Sequence, residues 1–186
     1  MFIETEADIF FAHLESPIGI LTVLARNEGL SEIRFPNHKA KALANEALMN
    51  EALMNEALAD KALPRQRGQL SERLNTHVEA ALAQLSAYFS GELRHFDLQL
   101  CAQGTDFQQQ VWSQLQTASY GVTMSYGEIA TALGKPTAAR AVGMANSKNP
   151  IPIVVPCHRI IGSNGALTGF AGGLDTKRWL LAHEQG

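Results

Sequence analysis

The hexapeptide VPCHRI at residues 155–160 lies between prolines and glycines that exclude a regular helix at this point of the chain. It places Cys157 directly before His158 and Arg159. A cysteine acts as a nucleophile only as its thiolate, which a neighbouring imidazole and a positive charge favour. The C-terminal half is therefore built around irregular backbone that carries a potential nucleophile beside its potential base.

A direct hydrogen bond between the side chains of Cys157 and His158 is disfavoured by backbone geometry. In an extended chain, consecutive side chains point to opposite faces. Either the backbone bends sharply here, or a group such as a water molecule relays the proton. A buried structural thiol is the ordinary role of a cysteine, but the irregular and basic setting of Cys157 favours a functional role.

Charge and cysteine content bound the class of protein. Residues 1–100 carry 9 Lys and Arg against 14 Asp and Glu, whereas residues 101–186 carry 6 against 4, within a net charge of −3. The half that contains Cys157 is thus the basic one, which permits an anionic partner without requiring one. The start resembles no signal peptide, no stretch approaches the length of a membrane span, and the two cysteines form no disulfide framework. We expect a cytoplasmic protein without membrane association.

The N-terminal part has the pattern of a small antiparallel sheet with a helix. Strand-length segments at 9–15, 19–25 and 29–35 are separated by turn sequences, which predicts a three-stranded meander. The alternating segment 93–100 is expected to return as a strand to this sheet. Between them, residues 71–89 are predicted to form a helix ended by Gly91, with an apolar stripe of Leu74, Val78, Leu82 or Leu85, and Phe89.

A tandem five-residue repeat occupies residues 45–60, NEALMNEALMNEALAD. Five residues advance about 140° around a helix, so Leu48, Leu53 and Leu58 do not share one face. We interpret the repeat as a low-complexity insert that forms a loose surface helix or a partly disordered loop. A partner-binding helix is the alternative.

The C-terminal part is predicted to be mostly helical. Thr105 and Gln108 have the spacing of a capping box at the start of a helix that extends to about residue 116. Two short helical patterns at 126–133 and 137–146, joined by Gly-Lys-Pro, have the spacing of a helix-turn-helix motif.

The second helix of this motif is made almost entirely of small residues. Arg140 projects alone, because its neighbours are Ala138, Ala139, Ala141, Gly143 and Ala145. Such a helix suits close approach to another surface, and close helix packing inside the core explains the same residues equally well.

Glycines concentrate in residues 162–173 and predict a flexible loop. Asp175 is expected to cap a last helix over residues 176–184. Trp179 and Leu180 are predicted to form its buried side.

These patterns combine into an α+β fold. Residues 1–95 are predicted to form an N-terminal domain with a small antiparallel sheet and a helix, interrupted by the insert at 45–60. Residues 104–186 are predicted to form a mostly helical C-terminal domain with the helix-turn-helix. A chain of 186 residues is long enough to bury a core in one domain or in two small ones.

Other titratable residues are weaker candidates for chemistry. Cys101 lies on the apolar edge of a predicted strand and is interpreted as a small core residue. Glu184 lies at the C-terminal end of its helix, where the helix dipole disfavours a carboxylate. It is either simply solvated or folds back to orient His158, which would give a Cys–His–Glu relay. The histidines and cysteines show no paired zinc spacing, and no phosphate-binding glycine loop precedes a helix.

Three functions remain open on these residues alone. A cysteine hydrolase would use Cys157, His158 and Glu184 for acyl transfer. A helix-turn-helix regulator would use Cys157 as a redox sensor. A third function combines the two features, with the thiolate attacking a modified base that the motif presents.

Several motifs of the C-terminal part occur together in one known family. VPCHRI, preceded by NPIP and followed by TGFAGG and WLLAHE, resembles the O6-alkylguanine-DNA alkyltransferases, also called methylated-DNA–protein-cysteine methyltransferases. FQQQVW, MSYGEIA and TAARAVGMAN extend the resemblance over roughly residues 104–186. The N-terminal half matches only in general layout.

The resemblance implies transfer of an alkyl group from O6-alkylguanine, and also from O4-alkylthymine, to Cys157, without a cofactor and once per molecule. It implies that Cys157 is activated through a water held by His158, which in turn pairs with Glu184. Asn149 corresponds to the asparagine that supports the active-site turn in this family.

The resemblance also implies how double-stranded DNA is bound. The damaged base leaves the stack, Arg140 fills the vacated space, and Tyr126 rotates the 3′ phosphate and protonates the departing guanine. The helix of small residues lies in the minor groove. The remaining DNA-binding positions are Gly127, Lys135, Ala139, Gly143 and Ser163.

The chain departs from the family pattern in three places. Phe170 stands where many members have Tyr, the insert at 45–60 is not a family feature, and the zinc ligands of some N-terminal domains are absent, so no metal is expected. The regulatory relatives carry an extra cysteine-rich N-terminal domain for which this chain has no room, which argues against a transcriptional role. We expect a monomer.

Overall fold

The computed structural model describes residues 9–36 and 64–186, and the repeat at 45–60 lies outside them. The first described segment forms an antiparallel sheet in the order β1–β2–β3, as the sequence predicts. Gly19 has a φ of 102° in the first turn and donates its amide to Ser16 O at 2.9 Å. The strands are β1 (Phe10–Leu14), β2 (Leu21–Arg26) and β3 (Gly29–Arg34).

Helix α1, Pro64–Phe89, packs on this sheet and begins seven residues earlier than the predicted 71–89. Proline is tolerated in the first turn of a helix, and the helix then continues through Gly68 in spite of the low helix propensity of glycine. Val78 and Leu85 of the predicted stripe are buried. Tyr88 is fully buried as well, whereas Phe89 is only partly buried.

The prediction of a strand at 93–100 is wrong except for one bridge, between Leu30 and Leu100. The side-chain amide of Gln84 on α1 takes the place of a ladder partner. It donates to Asp97 O and accepts from Asp97 N, both at 2.8 Å. A short segment can thus satisfy its backbone without joining the sheet.

The C-terminal part is helical, as predicted. Thr105 and Gln108 form the capping box of α2, and Ser125 and Glu128 form a second one at α3. The helix-turn-helix pair begins and ends within two residues of the prediction. The elements in chain order are helix α2 (Asp106–Leu115), strand β4 (Met124–Ser125), helix α3 (Tyr126–Ala132), helix α4 (Ala139–Ser147), a 3₁₀ turn (Cys157–Arg159), strand β5 (Ile160–Ile161) and helix α5 (Gly173–Gln185).

The start of α5 differs from the prediction. Gly172 is its N-cap, so Asp175 lies in the first turn and does not cap the helix. Leu180 is buried as expected, whereas Trp179 is only partly buried. An acidic residue in the first turn still interacts favourably with the helix dipole, which explains why Asp175 indicated the start of a helix although it is not the cap.

Buried residues of both parts belong to one hydrophobic cluster, which includes Val23, Leu85, Val111, Ile129 and Leu180. The amide of Ile33 donates to Pro150 O at 2.8 Å, directly linking β3 to the segment before Cys157. The division into domains at 1–95 and 104–186 stays a prediction. No helix in the described ranges is long and apolar enough to cross a membrane.

Candidate active site

Cys157 lies in a sharp double bend. Pro156, with φ −80° and ψ 61°, lets the amide of Cys157 donate to Val155 O at 2.7 Å, and the 3₁₀ turn follows at once. These angles are those of an inverse γ-turn. The sequence left open a sharp backbone bend or a proton relay through a group such as water. The structure shows the sharp bend, and Cys157 and His158 lie in the same turn.

Asn149 holds this bend from behind. Its side chain donates to Val155 O at 2.8 Å and accepts from the amide of Ile151 at 3.0 Å. Between these two residues, Ile153 has a φ of 75°, which is strained for a β-branched residue. The two hydrogen bonds of a buried amide thus help to hold a backbone shape that the chain alone disfavours.

Glu184 folds back into the protein and is not solvated. His158 Nε2 and Glu184 Oε1 lie 2.8 Å apart, and both side chains are fully buried. Arg159 makes a two-bond ion pair with the same carboxylate, and the hydroxyl of Tyr88 and the amide of Gly121 also donate to it.

The surroundings set the charge of both partners. Burial raises the pKa of Glu184, but the hydrogen bonds from His158 and Arg159 outweigh it, and the net pKa lies well below the usual range. Burial lowers the pKa of His158, an effect that Glu184 partly opposes. At neutral pH the imidazole is thus neutral, with its Nε2 proton directed at the carboxylate.

The other ring nitrogen of His158 is a buried acceptor with no hydrogen-bond partner. The Cys157 thiol therefore makes no hydrogen bond with Nδ1. Buried polar atoms are usually satisfied by protein or ordered water. An acceptor of this kind, next to a nucleophile, is the atom that a relaying water would contact.

Cys157 is almost fully buried in this structure, and burial raises the pKa of its thiol to about 11. A hydrogen bond from Asn149 and the charge of Lys177 act in the opposite direction. At neutral pH the resting side chain is therefore a thiol, and a base is needed to make the nucleophile.

Lys177 is a residue that the sequence reasoning missed. Its side chain is fully buried, and its ammonium group donates to Ile160 O at 2.6 Å and to Thr168 O at 3.2 Å. Lysine is seldom buried. The available signal was its spacing from Leu180 and Glu184, which places all three on the inner face of α5.

The remaining predicted positions lie around an exposed surface. Arg140 is exposed on the first turn of α4, and Met144 follows one turn later with 66% of its surface exposed. A Cβ at Gly143 would lie 3.7 Å from the ring of Tyr126, whose hydroxyl shares a 2.8 Å hydrogen bond with Thr168. Lys135 and Ser163 are exposed, and Gly127 and Ala139 are partly exposed.

Phe170 stands beside the site. Its ring packs edge-on against His158 and against Phe35, with distances between ring centroids of 6.5 and 5.2 Å.

The prediction that Cys101 is a core residue is wrong, because this residue is partly exposed, with its sulfur 3.7 Å from a carboxylate oxygen of Glu28. The segment around it makes only one bridge to the sheet, so its side chain is not enclosed.

Fold and site together define a helix-turn-helix protein with a buried cysteine backed by a histidine–glutamate pair. Two family models match the chain, that of the 6-O-methylguanine DNA methyltransferase ribonuclease-like domain at residues 9–102 and that of the DNA binding domain at residues 106–186. The chain belongs to the methylated-DNA–protein-cysteine methyltransferase family, which confirms the resemblance.

Two relatives and one solved structure match over almost their whole length. A methylated-DNA–protein-cysteine methyltransferase of Methanosarcina acetivorans is 42% identical over 95% of this chain and 98% of its own. One from Mycolicibacterium paratuberculosis is 44% identical over 95% of this chain and 93% of its own. The structure of Mycobacterium tuberculosis OGT in complex with DNA has a TM-score of 0.71 and 40% identity, covering 94% of this chain and 92% of that one.

Proposed function

We propose that this protein repairs double-stranded DNA by transferring the alkyl group of O6-alkylguanine, and also of O4-alkylthymine, irreversibly to its own Cys157, once per molecule. The observation that carries the proposal is the fully buried His158–Glu184 pair in the same turn as Cys157, with the second ring nitrogen of His158 left free as an acceptor. Membership of the methyltransferase family supports it.

The proton leaves Cys157 through a relay. A water between the thiol and His158 Nδ1 passes the proton to the imidazole, and the ionised Glu184 stabilises the imidazolium that forms. Because the resting thiol has a pKa of about 11, this base is needed at neutral pH.

The thiolate then attacks the alkyl carbon. A carbon–sulfur bond forms as the bond between that carbon and O6 breaks, and the electron pair of the broken bond stays on the guanine. Tyr126 supplies a proton to the departing base. Since the thioether has no remaining acidic proton and is a poor leaving group, Cys157 is consumed in one reaction.

Burial of Cys157 requires that the damaged base be extruded from the helix. With 4% of Cys157 exposed, no base inside a duplex can reach the sulfur, which is the general reason for base flipping. Arg140 is exposed on a helix of small residues, suited to fill the vacated space from the minor groove. Met144, exposed on the same face of α4, adds apolar surface suited to the groove.

The other positions proposed to bind the DNA backbone surround the exposed face of α4. An open cleft of about 440 Å³ includes Ser125 and Ser163 in its lining, so the start of α3 and the loop after β5 face the same space. Gly127 and Lys135, on α3 and just after it, are proposed to contact the DNA backbone, and the small residues Ala139 and Gly143 to let α4 approach it closely.

We place the protein in the cytoplasm, as a monomer and without a metal. Cys101 and Cys157 are both free thiols, and an oxidised Cys157 would be unable to accept an alkyl group. A reducing compartment supports this requirement.

Intact-mass measurement tests the proposed function. The protein is mixed with a duplex that carries one O6-methylguanine, and Cys157→Ala and Cys101→Ala variants are treated in parallel. We expect wild type and Cys101→Ala to gain one methyl group and Cys157→Ala to gain none while still binding the duplex.

Three outcomes would contradict the proposal. Methyl transfer by Cys157→Ala would disprove the identity of the acceptor. Repeated turnover of an ester or amide substrate by wild type, without a mass change, would favour a cysteine hydrolase, and sequence-specific protection of DNA without transfer would favour a regulator.

A further inference from the structure

A hydroxyl group from the N-terminal part of the chain reaches the carboxylate behind the candidate active site. Tyr88, in the last turn of α1, is fully buried and donates to Glu184 Oε1 at 2.9 Å. The two residues are separated by 96 positions in the sequence. Burial, and then the charge of Glu184, raises the pKa of Tyr88 above its ordinary value, so the phenol remains a proton donor.

The donors around Glu184 leave its carboxylate little freedom to rotate. Oε1 accepts from Tyr88, from His158 Nε2 at 2.8 Å and from Arg159 Nη2 at 2.9 Å. Oε2 accepts from Arg159 Nε at 2.8 Å and from the amide of Gly121 at 3.1 Å. A carboxylate offers about four lone-pair sites, and these five contacts occupy them.

The ring of Tyr88 is itself held in place on several sides. It packs edge-on against Tyr120 and His183 and lies tilted against Phe96, at centroid distances of 6.2, 5.2 and 5.5 Å. Its backbone carbonyl oxygen lies 2.7 Å from His183 Nε2 on α5. The hydroxyl is therefore fixed relative to the helix that carries Glu184.

We propose that Tyr88 is a positioning residue of the transfer reaction, whose hydroxyl fixes the Glu184 carboxylate and, through it, the ring and tautomer of His158. The inference rests on the proposed function. It gives the N-terminal part a role in the chemistry at Cys157 that acts through Glu184 and His158, without a hydrogen bond from its described side chains to the sulfur.

The hydroxyl also affects the charge balance of the relay. By donating to Oε1, Tyr88 disperses the negative charge that stabilises the imidazolium form of His158. Its removal leaves that charge more available to His158 and raises the pKa of the imidazole. Within the described ranges, the charged and titratable groups that face the pair are Tyr88 on α1, Arg159 and Cys157 in the 3₁₀ turn, and Lys177 on α5.

The test compares wild type with Tyr88→Phe and Tyr120→Phe, which each remove one hydroxyl and keep the ring. Tyr120 is the matched control, because its hydroxyl contacts His183 O at 3.4 Å and not the carboxylate. The single-turnover rate of methyl transfer from an O6-methylguanine duplex is measured across pH. The protonation of His158 is followed by NMR with ¹⁵N-labelled histidine, assigned by its loss in His158→Gln.

We expect Tyr88→Phe to lower the plateau rate about tenfold, near the lower limit for a hydrogen bond to a charged group. The acid limb of the rate profile and the His158 titration should move together to higher pH, by roughly half a unit or more. Tyr120→Phe should shift neither midpoint.

A lower rate in Tyr88→Phe with an unchanged His158 titration would overturn the proposal, because a purely structural role predicts that result. An unchanged rate would overturn it as well. If wild type transferred no methyl group, the proposed function would fail, and the NMR comparison alone would still decide whether Tyr88 controls His158.

Discussion

Arg159 and Glu184 form a two-bond ion pair inside the protein, with Nε–Oε2 and Nη2–Oε1 distances of 2.8 and 2.9 Å. The guanidinium also donates to Ala118 O at 2.6 Å. The planar fork of arginine matches a carboxylate in this geometry, which lysine cannot reproduce. The pair fixes the carboxylate from one side while His158 and Tyr88 contact it from others.

Replacing Glu184 with Gln should destabilise the protein strongly. It leaves the buried guanidinium of Arg159 without its counter-charge, and breaking a buried pair in this way costs about 3–5 kcal/mol. Urea unfolding monitored by circular dichroism measures the change. Asp175→Asn is the control, because its side chain is 98% exposed, and a loss as large there would show that the effect is not due to burial.

The stability of the wild-type protein should fall in acid. The pKa of Glu184 is lowered on folding, so its contribution is present above the pKa of the unfolded carboxyl, about 4.3, and is lost as the pH falls toward the lower folded value. The free energy of unfolding, measured from neutral pH down to about pH 3, should decrease most steeply below that unfolded value. In Glu184→Gln this part of the decrease should be smaller. An equal slope in both proteins would show that other carboxyls cause it.

Arg140→Ala should slow repair of duplex DNA more than reaction with free O6-benzylguanine. Only the duplex needs a side chain to replace the extruded base, so we expect a rate ratio that changes by about tenfold or more, equivalent to about 1.4 kcal/mol. Rapid-quench measurement of alkyl transfer from both substrates gives this ratio. Lys148→Ala removes an exposed cation from the other end of α4 and should leave the ratio unchanged. Equal losses on both substrates in Arg140→Ala would contradict the extrusion role.

Asn149→Ala should impair both the turn and the reaction. It removes two buried hydrogen bonds, to Val155 O and from the amide of Ile151, at a cost of about 2–4 kcal/mol with the buried carbonyl left unsatisfied. The transfer rate should fall by about a hundredfold, because displacement of the sulfur by 1 Å has an effect of that order. Asn164→Ala, which removes an exposed loop contact to Ala166 N, is the control for both measurements. A normal rate in Asn149→Ala would mean that the bend is held by other groups.

Local chemistry made much of the fold predictable. The capping box at Thr105 and Gln108 and the spacing of α3 and α4 depend on residues within one or two turns of each other, so they are visible in the sequence. The start of α1 at Pro64 was not visible in the sequence, because the helix continues through Gly68 although glycine has a low helix propensity. The failure of the strand at 93–100 depends on the side chain of Gln84, which only the folded structure brings to Asp97.

The site shows the same division. Cys157 and His158 are neighbours in the sequence, and the family motifs identify Glu184 as their partner. Tyr88 and Lys177 were not identified, and Arg159 was identified only as a positive charge next to Cys157 and not as a partner of Glu184, because the burial of a polar side chain depends on partners far along the chain. Tyr88 meets its carboxylate only after the sheet, α1 and α5 have packed together.

The hydrophobic cluster that joins Val23 and Leu85 to Ile129 and Leu180 makes the N-terminal sheet and the cysteine site thermodynamically interdependent. A substitution in the sheet that weakens folding lowers the population of molecules able to accept an alkyl group, even though it touches no DNA. Because each molecule reacts only once, repair capacity equals the number of folded molecules. A loss of stability in this cluster that is large enough to unfold part of the protein therefore lowers the number of lesions that a cell can remove before it must synthesise more of it.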